Sequence, residues 1–196
     1  MTELNDLRRQ LRRARRQIPD SSRHLANQRL SRRVASYHRF RSARSVGAFL
    51  GFDGEVSTDN LIQRCWRMGK AVYLPVLLNA QQMVFAPFAP HSTLYPNRFG
   101  ILEPLVPQDQ WRHGRELDLI LTPLVGFDRN GTRLGVGGGY YDRHFASTKP
   151  GRHGRHPFLL GIAYAMQETT LPPPRPWDIP LHALATENEL LNFPRL

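Results

Sequence analysis

Hydrophobic residues recur at helical spacing from the first turn of the chain onward. Leu4, Leu7, Leu11, Ala14 and Ile18 fall on one side of a helix and form a single apolar stripe. This spacing predicts an amphipathic helix that packs one face against the rest of the protein. Arginines fill much of the remaining helix surface, at Arg8, Arg9, Arg12, Arg13, Arg15 and Arg16.

Short apolar runs alternate with further helical segments along the rest of the chain. The runs that predict strands cover residues 45–50, 71–78, 117–121 and 158–163, with shorter candidates at 83–87 and 183–186. Helices are predicted from a break and N-cap at 19–22 to about Phe40, over 59–68 after an expected Thr58 cap, and over 140–146. This alternation favours a parallel sheet. The predicted fold is therefore α/β: a single three-layer domain over residues 1–196, with a mostly parallel central sheet flanked by helices.

Four glycines within five positions form the most informative segment of the chain. They are Gly135, Gly137, Gly138 and Gly139, and the run continues as Tyr-Tyr-Asp-Arg up to Arg143. Glycines this dense forfeit backbone entropy on folding, so they indicate a backbone that needs them. Amides without Cβ atoms can wrap a phosphate, particularly at the start of the helix predicted at 140. The segment is neither a P-loop nor a dinucleotide fingerprint, and a plain glycine-rich surface turn is the alternative.

Charged side chains around the glycines add what a nucleotide site needs. Asp142 follows the loop, where a carboxylate can hold a divalent cation that bridges phosphates. Arg133 and Arg143 flank the loop with positive charge. The sequence therefore predicts a site for a nucleotide triphosphate.

The segment Arg133 to Arg143 resembles the signature of the 5-formyltetrahydrofolate cyclo-ligase family, also called methenyltetrahydrofolate synthetases. Weaker matches follow the family's order nearly from end to end. They comprise the arginine-rich first helix around Leu7 and the segments 49–58, 69–76, 100–104, 124–128, 177–180 and 186–187.

The resemblance implies an enzyme that uses ATP and Mg²⁺ to convert 5-formyltetrahydrofolate to 5,10-methenyltetrahydrofolate, releasing ADP and phosphate. In the implied reaction ATP phosphorylates the formyl oxygen, and the second folate nitrogen then closes the ring. Phosphoryl transfer of this kind depends mainly on positioning and charge neutralisation. The sequence agrees, because it contains no Ser-His-Asp or Cys-His pattern that would require covalent catalysis by the protein.

The resemblance also assigns site residues by position. Arg8 and Asp142 are the expected catalytic residues, and Asp142 and Asp178 the expected metal carboxylates. The ATP contacts map to Leu4, Asn5, Asp6, Leu7, Arg8, Arg133, Leu134, Gly135, Val136, Gly137, Gly138, Gly139, Tyr140 and Tyr141. The folate contacts map to Arg8, Leu50, Glu55, Val136, Gly137, Gly138, Gly139 and Tyr140. Leu4 stands where the family often has lysine, so this chain has no cation at that position.

Three of these assignments have plain structural alternatives. Glu55 lies beyond the carboxyl end of a predicted strand, where its carboxylate can accept hydrogen bonds from pterin N–H groups. It could equally be a solvated turn glutamate. Leu50 reads as a core residue on sequence grounds alone, and Asp178 as part of an ordinary turn.

The net charge of +11 is concentrated at the start of the chain. Residues 1–44 contain 13 arginines and three acidic residues, whereas the remaining 152 residues are nearly balanced. A basic N-terminal arm raises nucleic-acid binding as an alternative function, but no aromatics interrupt the arginine run to stack on bases. We expect Arg8 to border the apolar stripe and reach a ligand, with Arg12 sharing that rim. Arg9, Arg13 and Arg16 should point progressively toward solvent.

The remaining composition constrains the compartment. A single cysteine, Cys65, excludes an intramolecular disulfide and favours a reducing environment. No apolar run approaches the roughly 18 residues of a membrane span, and no hydrophobic signal segment is recognisable. We therefore expect a cytoplasmic protein without a membrane partner, and a monomer.

Overall fold

The computed structural model describes residues 3–79, 81–146 and 156–194. Within these ranges the helices are α1 (Glu3–Arg16), α2 (Asp20–Ser36), α3 (His38–Ser42), α4 (Asp59–Arg67) and α5 (Tyr140–Ala146). The strands are β1 (Ser45–Gly47), β2 (Ala71–Leu77), β3 (Met83–Pro87), β4 (Leu94–Pro96), β5 (Leu102–Pro104), β6 (Leu119–Pro123), β7 (Gly126–Phe127), β8 (Arg133–Leu134), β9 (Phe158–Ile162), β10 (Ala183–Ala185) and β11 (Leu190–Asn192). Short 3-10 helices cover Gln108–Gln110, Gly114–Glu116 and Ala165–Gln167.

The described residues build one seven-stranded sheet in the order β11-β10-β9-β6-β1-β2-β3. Its inner strands run parallel, and β3 and β11 close the two edges as antiparallel strands. Val46 of β1 is in register with Val72 of β2 and with Leu119 of β6. The α/β fold with a mostly parallel sheet, expected from the sequence, is confirmed.

Both faces of the sheet are buried, as the apolar strands require. Successive strand residues point to opposite faces, so Leu119 and Leu121 join one core cluster and Ile120 joins the other. The first cluster includes Leu30 of α2, together with residues of α3 and α4. The second packs against α5, through Phe145, and against loops. One outer layer is therefore helical, whereas the other is mostly irregular backbone around a seven-residue helix.

The strand order reverses between β1 and β6. β1 connects through α4 to β2 on one side, whereas β6 continues to β9 on the other side. Open α/β sheets bind ligands beyond the carboxyl ends of their strands at such a point. The loop 48–58 follows β1 there, and the hairpin β7–β8 with the glycine run follows β6. α1 packs beside them, because Leu11 forms a small cluster with Val125 and Leu134.

Several local expectations need correction. The second helix ends at Ser36, because Tyr37 is extended and separates α2 from α3. Neither α2 nor α4 has a side-chain N-cap: the Thr58 hydroxyl donates to the Phe49 carbonyl instead. β1 is shorter than expected, β6 begins two residues later at Leu119, and the β4–β5 and β7–β8 hairpins were not predicted.

None of the helices in the described ranges has both the length and the apolarity needed to cross a bilayer.

Candidate functional site

The first helix and the glycine run meet through Arg8. Its Nε donates to the Gly135 carbonyl at 2.9 Å, and its Nη1 donates to Asn5 Oδ1 at 2.7 Å. Leu4 and Leu7 pack against the cluster around Leu134, which fixes the approach of α1 to the loop. The two segments to which the sequence assigned ATP contacts are therefore adjacent.

The glycine run adopts backbone angles that side chains disfavour. Gly137 has φ +108° and Gly139 has φ +61°, in the range that glycine adopts freely. A Cβ at Gly139 would lie 2.7 Å from an Arg143 nitrogen, whereas a Cβ at Gly135 meets nothing within 4 Å. Within the described part of the chain, the amides of 137–139 have no hydrogen-bond acceptor. Unpaired amides of this kind are the donors that an anion cradle requires.

Asp142 and Asp178 are brought together beside a buried arginine. Asp142 Oδ1 accepts from Arg133 Nη2 at 2.5 Å and from the Ile179 amide at 3.1 Å. Asp178 directly precedes Ile179, and its Oδ2 accepts from the Arg175 amide at 2.9 Å. The Arg133 side chain is 5% exposed and also donates to the Ile179 carbonyl.

This donor set suits Mg²⁺. Among the described residues no group of three or more His, Cys, Asp or Glu side chains could hold a metal. Mg²⁺ commonly takes only one or two carboxylates and completes its shell with water and phosphate oxygens. Asp142 and Asp178 both lie near the Arg133 guanidinium, so oxygen ligands of the kind that Mg²⁺ takes are present beside it.

Tyr140 and Tyr141 leave the loop in different directions. The Tyr140 hydroxyl donates to the Asn79 carbonyl at 3.1 Å, and Arg143 lies over its ring at 5.3 Å. The Tyr141 hydroxyl is buried and has no hydrogen-bond partner among the described residues. Burial, reinforced by the charge of Glu55, raises the pKa of Tyr141 far above its usual range, so the hydroxyl stays neutral.

The two residues expected to contact folate after β1 differ in character. Leu50 is half-buried and packs against the core, as its interpretation as a core residue predicted. The Glu55 side chain is 13% exposed, and its Oε2 accepts from the Phe52 amide at 3.3 Å. Burial raises the pKa of the Glu55 carboxyl, although the Arg15 guanidinium opposes that shift. Glu55 is therefore not the freely solvated turn residue of the alternative reading.

Arg15 does not lie on the helix surface outside the apolar stripe, where the sequence analysis placed it with the other arginines. It is only 1% exposed, and its Nη2 donates to the Asp53 carbonyl at 2.9 Å. Its Nη1 lies 3.8 Å from Glu55 Oε1. The spacing offered a signal: position 15 lies four residues after Leu11 and three before Ile18, on the apolar stripe itself.

The other arginines of α1 divide into two groups. Arg9 and Arg13 are exposed, as expected. Arg16 is also exposed, but its Nε contacts the Asp53 carboxylate. Arg12 donates to Asp53 Oδ2 at 2.7 Å, so it links α1 to the loop after β1. Asp53 itself has φ +55°, a conformation that non-glycine residues hold only where surroundings enforce it.

Two exposed aromatics and one arginine near these residues were not predicted as site residues. Phe52 is 49% exposed beside Glu55, and Trp177 is 58% exposed beside Asp178. Arg175 lies over the Trp177 ring at 5.7 Å, and with burial its charge lowers the pKa of Arg8. Both aromatics lie in segments that carried the family resemblance, 49–58 and 177–180, and this was the available signal.

A cavity of about 870 Å³ lies at the opposite edge of the sheet. Leu117, Asp118 and Phe158, at the amino ends of β6 and β9, line it. Asp118 there accepts hydrogen bonds from the amides of Arg44 and Ser45, so its carboxylate is committed to the fold. The glycine run and Glu55 do not border this cavity.

The fold and the site define a class: an α/β enzyme with a glycine-rich loop and paired carboxylates beyond the carboxyl ends of its parallel strands. The family model described as the 5-formyltetrahydrofolate cyclo-ligase family matches residues 1–187, and the chain belongs to that family.

Named relatives match over nearly their whole lengths. The 5-formyltetrahydrofolate cyclo-ligase of Escherichia coli is 37% identical over 182 residues, which are 92% of this chain and 98% of that protein. The Haemophilus influenzae enzyme of the same name is 35% identical over 177 residues, 89% of this chain and 92% of that protein. The solved 5,10-methenyltetrahydrofolate synthetase of Aquifex aeolicus superposes with a TM-score of 0.83 at 25% identity, covering 100% of this chain and 95% of that one.

Proposed function

We propose that this enzyme closes the ring of 5-formyltetrahydrofolate to give 5,10-methenyltetrahydrofolate, with ATP as the co-substrate that is converted to ADP and phosphate, and Mg²⁺ as the cofactor. The observation that carries the proposal is the junction of Arg8 with the glycine run at the point where the strand order reverses. The names of the Escherichia coli and Aquifex aeolicus relatives support the same substrate and product.

In this proposal the phosphates of ATP lie against the glycine run. The amides of 137–139 donate to phosphate oxygens, and Arg8 supplies a cation from α1. Leu4 offers no charge where the family often has lysine, so Arg8 and the nearby Arg175 carry that role. Asp142 and Asp178 would hold Mg²⁺, which would supply positive charge beside the phosphates.

The folate lies between the loop after β1 and the glycine run. Glu55 accepts hydrogen bonds from the pterin N–H groups, and the exposed side chain of Val136 offers an apolar contact. The apolar edge of Leu50 and the backbone of 136–140 complete the contacts. This places the formyl group beside the phosphates of ATP.

The proposed reaction requires the protein to position the substrates and to supply charge; it does not require a nucleophilic side chain. The formyl oxygen attacks the γ-phosphorus of ATP, the bond from that phosphorus to the bridging oxygen breaks, and ADP leaves. The second folate nitrogen then attacks the activated carbon and releases its proton to solvent, and phosphate leaves with the oxygen. Arg8 stabilises the negative charge that spreads over the phosphoryl oxygens, a form of electrostatic catalysis that depends on fixed donors.

The test is direct. Purified protein is mixed with 5-formyltetrahydrofolate, and the near-ultraviolet absorbance of the methenyl product is followed with ATP and Mg²⁺ present or omitted singly. Product formation only when all components are present is expected, with one ADP released per methenyl group. Product formation without ATP, or none at all, would overturn the proposal.

The arginine-rich helix gives little support to nucleic-acid binding as an alternative. Arg12, Arg15 and Arg16 all engage Asp53, and Arg9 pairs with Asp6. Four of the six arginines on this helix thus contact a carboxylate within the chain. A nucleic-acid surface would instead present free cations to phosphates and release counterions on binding.

Arg8→Ala is predicted to lower kcat/KM for ATP at least about tenfold, a loss of about 1.4 kcal/mol in transition-state binding. The physical reason is the loss of a cation held against the glycine run by the Gly135 carbonyl. Steady-state kinetics at saturating folate measure the effect.

Arg13→Ala is the matched control, because Arg13 is exposed on the same helix. It should change kcat/KM by less than about twofold, since an exposed charge acts through a screened field. Equal losses in the two variants would contradict the role of Arg8. Loss of RNA or DNA affinity in the Arg13 variant would favour the nucleic-acid alternative.

Glu55→Gln is predicted to raise KM for the folate about tenfold or more, because hydrogen bonds to an ionised acceptor contribute roughly 1.5–3 kcal/mol. KM for ATP should stay within about twofold. The pKa of the parental carboxyl is raised, so its ionised form disappears as pH falls through that raised value. Folate affinity should therefore weaken on the acid side in the parent and not in the variant; parallel losses for both substrates would indicate a structural role.

A further inference from the structure

Arg15, Asp53 and Glu55 form a charged cluster where α1 crosses the loop after β1. Arg15 lies closer than 4 Å to both carboxylates, at 3.6 Å from Asp53 and 3.8 Å from Glu55. Its Nη1 also approaches the Leu124 carbonyl, which follows β6, at 3.4 Å. The guanidinium therefore bridges the backbone segments that leave β1 and β6, at the point where the strand order reverses.

The stability of the fold does not account for a charge at this position. Leucine would continue the stripe of Leu4, Leu7 and Leu11, and apolar residues often replace buried ion pairs without loss of stability. The Nε of Arg15 is buried and has no hydrogen-bond partner among the described residues, which leaves part of its desolvation cost unopposed. The charge is thus explained by its partners, Asp53 and Glu55, rather than by packing.

The pKa of the Glu55 carboxyl depends on the charge of Arg15. Burial raises the pKa of its carboxyl, Asp53 in its own loop raises it further, and Arg15 and Arg12 of α1 lower it. From α5 the neutral Tyr141 hydroxyl faces the same carboxylate. Of the two arginines that lower the pKa of Glu55, Arg15 has the larger effect, and it is the buried one.

We propose that Arg15 is a positioning residue of the folate site: its buried guanidinium keeps the Glu55 carboxylate ionised and fixed beyond the carboxyl end of β1. This inference rests on the proposed function, in which Glu55 binds the pterin. Asp53 also binds Arg15, through its carbonyl at 2.9 Å and its carboxylate at 3.6 Å, which restrains the guanidinium beside Glu55. Arg15 then determines the pH below which the enzyme loses affinity for folate.

Arg15→Met, which removes the charge but keeps most of the side-chain length, tests the inference. The pH below which KM for folate rises should move up by about one unit, which corresponds to a tenfold change in proton affinity. KM for ATP and its pH dependence should stay within about twofold. Arg15→Lys retains a charge and should restore most of the parental profile. Arg13→Met, at an exposed position of the same helix, should leave the profile unchanged.

A double-mutant cycle separates an effect through Glu55 from a general structural one. In a Glu55→Gln background, Arg15→Met should change KM for folate by less than about twofold, because the coupled group is gone. Multiplicative effects of the two substitutions would overturn the inference. If the methionine variant does not fold, Arg15→Gln replaces it, since glutamine keeps a hydrogen-bond donor without the charge.

The failures of the two proposals are distinguishable. If Glu55→Gln leaves KM for folate unchanged, Glu55 does not bind the folate, and the proposed role of Arg15 is wrong as well. If Glu55→Gln raises KM but a folded, uncharged Arg15 variant keeps the parental pH profile, only the role of Arg15 is wrong.

Discussion

Replacing Asp142 with asparagine is expected to lower kcat by about thirty- to a thousandfold, which corresponds to a loss of about 2–4 kcal/mol of transition-state stabilisation. Asparagine keeps an oxygen that can accept from the Ile179 amide, as Asp142 Oδ1 does at 3.1 Å. It loses the negative charge that would bind Mg²⁺ beside Asp178. Single-turnover kinetics measure the chemical step, and an Mg²⁺ titration shows whether the variant needs a higher metal concentration.

Asp109→Asn is the matched control for this substitution. Asp109 is exposed in the 3-10 helix Gln108–Gln110, far along the chain from the site residues, and its variant should match the parent. Asp142 also pairs with Arg133 at 2.5 Å, so thermal unfolding must be measured alongside kinetics. A folded Asp142→Asn enzyme with turnover within about threefold of the parent at saturating Mg²⁺ would contradict the metal assignment.

The segment from the glycines into α5 was predictable because its signals are local. Glycine density and the change to helical periodicity at Tyr140 predicted a loop followed by a helix, and α5 begins and ends where expected. The individual backbone angles were not predictable. Positive φ falls on Gly137 and Gly139 and not on Gly138, because the path of the loop depends on contacts with Arg8 and Arg143 that no local pattern specifies.

The environment of Arg15 was wrongly predicted for a related reason. A run of arginines on an amphipathic helix is usually solvated, and the partners that bury this one lie in a distant loop. The sequence predicted a turn after β1 at Asp53, but it did not predict that Asp53 and Glu55 contact Arg15 of α1. The same limit applies to β7 and β8, since two-residue strands are too short to show a period.

The parallel sheet was the most predictable level of the structure. Strands buried on both faces read as continuous apolar runs, and β2, β9 and β10 lie within one residue of their expected bounds. β11 was missed because Leu190–Asn192 pairs at an edge and is only partly buried. The order that places β1 next to β6, and hence brings Glu55 toward the glycine run, depends on tertiary packing.

Gly137→Val is expected to lower kcat/KM for ATP at least about thirtyfold, through two effects that add. Valine at φ +108° meets backbone strain of about 1–3 kcal/mol, which favours another path for the loop. Amides displaced from the cradle lose charge-assisted hydrogen bonds to phosphate, each contributing roughly 1.5–3 kcal/mol. The Cβ atom itself would not clash within the protein, since the nearest atom to its position is Arg8 Nε at 3.9 Å.

Two controls assign the loss to the cradle rather than to strain in general. Gly69→Val imposes a comparable backbone conflict, because Gly69 has φ +67° with nothing within 4 Å of its Cβ position, but it follows α4 and lies outside the proposed site. It should reduce the free energy of unfolding without changing KM for ATP. Gly135→Ala, at a glycine without positive φ, tests whether a methyl group alone obstructs phosphate. Calorimetry on folded Gly137→Val should show ATP binding weakened more than folate binding, because folate keeps its contacts with the loop after β1; unchanged ATP affinity would mean that the glycine run does not bind the phosphates.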